Sequence, residues 1–343
     1  MPTAPFAADT LHLGEFLPPL AASVAYLTLF GRRLRTLRRS GRAVAKWRVL
    51  SFVAGVLLLV AVQIGPVDSL ADEMLMVHMT QHIIIGDFCS LLIVLGLTGP
   101  VLAPLLQIRV TRPLRTLANP IVALVLWAVD LYTWHLPLLY QLAIRHDLVH
   151  ALEHACLLWF GALLWLGLIG PLPKPAWFQG WAGVGYVTAI RFLGAVLANA
   201  LIWAQAVFYP VYRASDAARG LNPVSDQNIA GGIMMVEQVI LTVILFAWVF
   251  LRFAKRDEER QQLLDLAAER GIGLTHERAA RAANADAAAR LRARLLHAAS
   301  PAAPLQLEQR EALDLPAPLA GPPPAAPPPA APLPPAGRGG EPR

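Results

Sequence analysis

Charge is scarce in this sequence. Asp, Glu, Lys and Arg together make up 15% of 343 residues, against about 25% in an ordinary soluble chain, while apolar residues reach 56%. A soluble core has no use for that much apolar sequence, so the composition implies an integral membrane protein. Cysteine is nearly absent, and Cys89 and Cys156 both lie in apolar stretches, which excludes a disulfide-stapled secreted domain. Met1 to Thr10 lacks a basic segment, so no cleavable signal peptide is expected there. No C-x-x-C-H occurs, which excludes covalent c-type haem attachment. The net charge of +6 comes from arginines beside apolar segments, a pattern of membrane topology rather than of nucleic-acid binding.

What the sequence has in abundance is long apolar runs. A spanning helix needs about 20 mostly apolar residues, and seven stretches qualify: roughly 12–31, 49–66, 74–97, 119–141, 147–170, 182–208 and 227–252. Pro66, Gly99-Pro100, Asn119-Pro120, Gly170-Pro171 and Asn222-Pro223 fall at or near their ends, where helix breakers belong. The expected fold is all-α, a polytopic membrane protein of seven transmembrane helices.

Basic residues set its orientation. The first connection carries Arg32, Arg33, Arg35, Arg38, Arg39, Arg42, Lys46 and Arg48 without an acid. The third carries Arg109, Arg112 and Arg115, the fifth Lys174, and the segment after the seventh helix Arg252, Lys255 and Arg256. The other connections are acidic or balanced, with Asp68, Asp72 and Glu73, then Arg145 and Asp147, then Arg213, Arg219, Asp216 and Asp226. The positive-inside rule then predicts the N-terminus outside and the C-terminus in the cytoplasm. Residues 1–253 form the transmembrane domain. Residues 254–298, rich in Ala, Arg, Glu and Leu, predict a charged cytoplasmic helical segment, with a break expected at Gly271-Ile272-Gly273. Residues 299–343 read as a disordered Pro/Ala tail.

Ionisable side chains inside a membrane are costly and mark candidate sites. In the predicted topology His12, His78, His82, His135, His146, His150 and His154 all fall in the outer half. Met74, His78 and His82 are four apart and share a helix face, as do His146, His150 and His154. Neighbours four apart rise about 6 Å, so two imidazoles can share one ion. Members eight apart, at about 12 Å, cannot. The expected unit is a pair from each helix, or one pair with His135. His12 and His146 read as interfacial, and the common alternative for any lone intramembrane histidine is a hydrogen bond to a neighbouring helix. Met79 points about 100° away from His78, whereas Met74 has the better spacing. The candidate metal set is therefore His78, His82, His135, His150 and His154, with Met74 and Met79 as nearby sulfurs. Imidazole beside thioether in an oxidising compartment suits copper better than magnesium or calcium, with haem iron the main competitor.

His150-Ala151-Leu152-Glu153-His154 also fits the H-x-x-E-H zinc-peptidase pattern, but Ala155 to Gly170 offers Cys156 and no downstream carboxylate. Asp87, Asp130, Glu153, Arg191 and Glu237 could line a transport path. The simpler reading of Arg191 and Asp87 is a structural ion pair between the sixth and third helices.

Met76-Val77-His78-Met79-Thr80-Gln81-His82 resembles the H-M-x-x-H signature on helix three of the seven-helix CtaG-type cytochrome c oxidase assembly factors. Gly96 to Pro100, Trp134 to Tyr140, His150 to His154 and Asp226 to Gly232 extend the resemblance over roughly 74–235. Ile83 and Ile84 stand where that pattern has Met-Leu, and residues after 255 lie outside it. The resemblance implies a multi-pass protein of a bacterial inner membrane that serves assembly of haem–copper oxidase by handling copper. Its expected partners are oxidase subunits or copper chaperones and the lipid bilayer, with no nucleic acid. No bond-making step is implied, so no enzyme activity is expected. The competing functions are a b-type haem redox protein using His78 or His82 with His150 or His154, and a transporter.

Overall fold

The computed structural model describes residues 13–298 apart from 42, 65, 104–113, 118, 173, 176, 179–180 and 285–286. His12, Arg109, Arg112 and the tail 299–343 lie outside the described residues. The chain divides into two compact units, residues 1–253 and 254–343, and every regular element among the described residues is helical.

The first unit begins with α1 (Leu13–Arg39) and α2 (Lys46–Val62). The arginines expected in the first connection are largely helical: Arg32 to Arg39 form the last turns of α1, because arginine is a good helix former and no glycine or proline intervenes between Arg32 and Gly41. Then come α3 (Pro66–Glu73), α4 (Leu75–Ile83), a π-helical segment (Ile84–Cys89) and α5 (Ser90–Gly96), the last three forming one apolar span. Two short helices follow, α6 (Gly99–Leu102) and α7 (Leu114–Leu117). Next are α8 (Pro120–Trp134), α9 (Pro137–Arg145), α10 (Asp147–Leu168) and α11 (Trp181–Trp203). A 3-10 turn (Pro210–Tyr212), α12 (Arg213–Ala218) and the 47-residue α13 (Pro223–Glu269) complete the order into the second unit.

Four described helices are long and apolar enough to cross a membrane: Leu75–Gly96, Asp147–Leu168, Trp181–Trp203 and Pro223–Glu269. Counting α2 with the end of α3 and α8 with α9 as bent spans raises the number to six. The stretch 12–31 expected as the first span falls largely on α1 (Leu13–Arg39). The α8–α9 bend is 71°. Pro137 causes it, since it cannot donate a backbone hydrogen bond and forces Leu136 into extended geometry (φ −63°, ψ 129°). The sixth stretch, expected to reach 208, ends at Trp203. Beyond it the Gln227 side chain, not helix, serves the backbone: it accepts from the Phe208 amide (2.8 Å) and donates to the Ala206 carbonyl (3.1 Å).

Exposed apolar stripes identify the lipid-facing surfaces. Ile121, Val125 and Val129 line α8 at four-residue spacing, and Val236, Ile240 and Ile244 do the same on α13. No soluble protein leaves such continuous faces to water. Inside, α10 is the central helix, packed on α5, α8, α9 and the π segment. Its Leu164 and Trp165 share a core with Val187 and Ile190 of α11, all fully buried.

The closest approach is between α10 and the π segment. A Cβ on Gly161 would lie 2.1 Å from the Gly86 carbonyl oxygen, so only glycine fits, and Ser90 Oγ donates to that same carbonyl. Small residues at membrane helix crossings let backbones meet in this way.

In the second unit, the end of α13, α14 (His276–Asn284) and α15 (Ala288–Ala298) share a small core of Leu263, Ala267, Ala279 and Leu295. The break expected near Gly271 is present: its φ of 65° is left-handed, and the Ile272 amide bonds the Ala267 carbonyl at 2.9 Å to close the helix end.

Candidate metal centre

The histidine pairs meet. Helix α4 presents His78 and His82, and α10 presents His150 and His154, so that one ligand nitrogen from each lies within 4.8 Å of all the others. Ring centroids are 4.2 Å apart for His78–His82, 4.2 Å for His150–His154, 5.1 Å for His78–His150 and 5.4 Å for His82–His154. His78, His82 and His154 are buried and His150 half-buried.

His78 approaches the Ala71 carbonyl without completing a hydrogen bond, and both nitrogens of His82 and Nε2 of His150 and His154 likewise have no hydrogen-bond partner. Buried polar atoms are nearly always paired, because leaving one unpaired costs about 1–3 kcal/mol. So many orphan imidazole nitrogens facing one another could serve as the donor set of a metal ion. Ligand nitrogens at about 2 Å from a common ion stand at most about 4 Å apart, so small ring rotations would close this set around one ion. The residues present fit a metal.

His135 lies at the rim. It caps the end of α8 at the Pro137 break, with its ring 6.4 Å from that of His82. Its Nδ1 pairs with the Leu131 carbonyl at 2.7 Å, leaving Nε2 unpartnered. A backbone carbonyl on one nitrogen and a free second nitrogen is the usual posture of a metal-bound histidine, though His135 stands outside the four-residue group.

The two methionines lie elsewhere in the design. Met74 does not stack below His78 as a helical neighbour: its extended backbone (φ −139°, ψ 126°) separates α3 from α4. Met79, 1% exposed, packs among Leu75, Tyr140, Leu197 and Leu201 in an apolar cluster. His146 is exposed and precedes the first turn of α10.

Three tyrosines form the floor. The Tyr140 ring lies 5.2 Å from that of His78, its hydroxyl is 3.0 Å from that of Tyr212, and Tyr209 donates to the His135 carbonyl at 2.8 Å. Asp226, in the first turn of α13, holds the start of α4. Its carboxylate accepts from the Leu75 amide (2.7 Å) and the Met76 amide (3.1 Å), capping the helix that carries His78 and His82. Sequence reasoning placed Asp226 within a motif but gave it no role, because a cap supplied from 150 residues away has no local signature.

A second polar cluster lies further along the same span. Arg191 of α11 pairs with Asp87 of the π segment (3.5 Å) and Glu237 of α13 (3.0 Å), and Gln238 donates to Glu237 at 2.9 Å. The expected Arg191–Asp87 pair is there, extended by Glu237.

A bundle of apolar helices enclosing buried histidines defines a class of helical membrane protein with a histidine cluster among its described residues. Within that class, this chain belongs to the cytochrome c oxidase caa3 assembly factor (Caa3_CtaG) family, whose family model matches residues 25–256. Two relatives, the uncharacterized proteins Mb0105 of Mycobacterium bovis and MT0111 of Mycobacterium tuberculosis, are each 24% identical over 277 residues. The match covers 75% of this chain and 42% of each relative, so the chain spans under half the length of those proteins. No solved structure matches the chain.

Proposed function

We propose that this protein serves the assembly of haem–copper cytochrome c oxidase by binding copper at His78, His82, His150 and His154 and passing it on. The observation that carries the proposal is the meeting of four unpartnered imidazoles from two helices within 4.8 Å. Imidazole is a good copper ligand. Family membership supplies the pathway. His135, with its free Nε2, is the nearest additional donor for an ion entering or leaving. Copper is cargo here, and the role is delivery rather than catalysis.

The accompanying topology is seven spans with α1 as the first, the N-terminus outside and the C-terminus in the cytoplasm. It places the cluster on the periplasmic side of a bacterial inner membrane, where oxidase subunits or copper chaperones would receive the ion. The rings touch one another directly, which favours a single ion over a haem: an iron porphyrin between two axial histidines needs a slot separating them.

The test is complementation of a deletion strain in a bacterium that makes a caa3-type oxidase. His78→Ala and His150→Ala should abolish oxidase assembly with the protein still in the membrane, and added copper should partly restore it by mass action. Normal assembly in both variants would contradict the reading.

A further inference from the structure

Glu153 occupies a place that four imidazoles alone leave unexplained. It lies on α10 between His150 and His154 and is fully buried, at 0% exposed. Neither carboxylate oxygen has a hydrogen-bond partner, and Oε1 is 3.7 Å from His82 Nε2. No lysine or arginine pairs with it among the described residues, and the neighbouring ionisable group Asp130 is another buried acid. A buried carboxylate without a cation or donors is among the costliest groups a helix bundle can hold. The structural carboxylates Asp87, Glu237 and Asp226 all have partners: Arg191 supplies a cation to the first two, and two backbone amides bond the third.

We propose that Glu153 is the oxygen donor of the metal site and tunes it toward a divalent ion. This rests on the four-histidine cluster being a metal site. The cation missing around Glu153 is then the bound ion itself. Two physical arguments set the preference. A carboxylate is a hard ligand that suits divalent borderline ions, whereas cuprous copper is satisfied by a few soft or imidazole donors. A fixed negative charge in a medium of low dielectric also attracts a dication about twice as strongly as a monocation. Four nitrogens and one carboxylate oxygen therefore favour cupric copper or zinc over cuprous copper, and copper held here would be in its cupric state.

The experiment uses the full-length protein in detergent, titrated with cupric, zinc and (anaerobically) cuprous ion. Glu153→Gln preserves the shape and removes the charge. It should weaken cupric and zinc binding about 10–100-fold, shift cuprous binding by less than about threefold, and change the cupric electron paramagnetic resonance spectrum. His82→Ala should weaken all three ions. Should Glu153→Gln fail to accumulate, the wild type decides: zinc should produce an infrared difference spectrum with a shifted carboxylate band. Unaltered divalent affinity in Glu153→Gln, equal losses for divalent and cuprous ions, or a wild-type infrared spectrum without a carboxylate change would overturn the role of Glu153 while leaving the histidine site standing. A wild type that binds none of the three ions would overturn both.

Discussion

The span Leu75–Gly96 carries two polar clusters, and they are built on opposite principles. Around Asp87 the protein provides both signs of charge, with Arg191 set between Asp87 and Glu237 and Gln238 bracing the latter. Around His78 and His82 it provides imidazoles and the carboxylate of Glu153, yet no arginine or lysine pairs with them among the described residues. The first cluster completes itself; the second gathers donors without a cation, as the proposed metal site requires. The two clusters sit within a few turns of one helix, so membrane depth alone does not explain the difference.

That contrast breaks first at Arg191. Arg191→Ala leaves Asp87 and Glu237 buried without their cation, a loss of about 3–5 kcal/mol, so the protein should vanish from the membrane as measured by immunoblot. A variant that accumulates normally would mean the deep cluster is not structural. Gly161→Ala strikes the helix crossing at Gly86, between the two clusters. With its new Cβ forced against the Gly86 carbonyl, it should cost about 1–3 kcal/mol by overpacking and lower the melting temperature and metal affinity together. An unchanged melting temperature would show that the crossing is not tight.

The histidine cluster should respond in the opposite sense. His78→Leu replaces two orphan nitrogens with apolar surface, so the metal-free protein should gain roughly 1–2 kcal/mol in thermal unfolding while losing metal binding. Destabilisation instead would indicate that His78 is a satisfied structural residue. The smallest effect concerns Asp216 on α12, outside the apolar spans, whose carboxyl is pushed up to about 6 by burial and by the nearby Asp226 carboxylate. Because its folded value lies above the ordinary 3.8, its stabilising contribution is complete below pH 4 and is lost as pH rises through 6. Asp216→Asn should flatten that part of the stability profile; an unchanged slope would remove Asp216 from the account.

Much of this was legible in the sequence because it depended on period and composition. Four-residue spacing put His78 with His82 and His150 with His154, and apolar length marked the long helices. What could not be read depended on partners remote in the chain or on local backbone departures. The π turn at Ile84–Cys89 has no spacing signal. The extended Met74 interrupts a run that looked continuously helical, and the cap that Asp226 gives α4 crosses half the molecule. Glu153 stood in plain view within His150 to His154, but only its burial and missing partner separate it from an ordinary helix acid.

The central claim is that His78, His82, His150 and His154 bind one metal ion. X-ray absorption at the copper edge of the copper-loaded protein tests it most directly. A single site on these four histidines predicts one copper per chain with three or four imidazole nitrogens at about 2.0 Å, a signal lost in His78→Ala and His154→Ala. A first shell dominated by sulfur at about 2.3 Å, or a spectrum unchanged by either substitution, would contradict it.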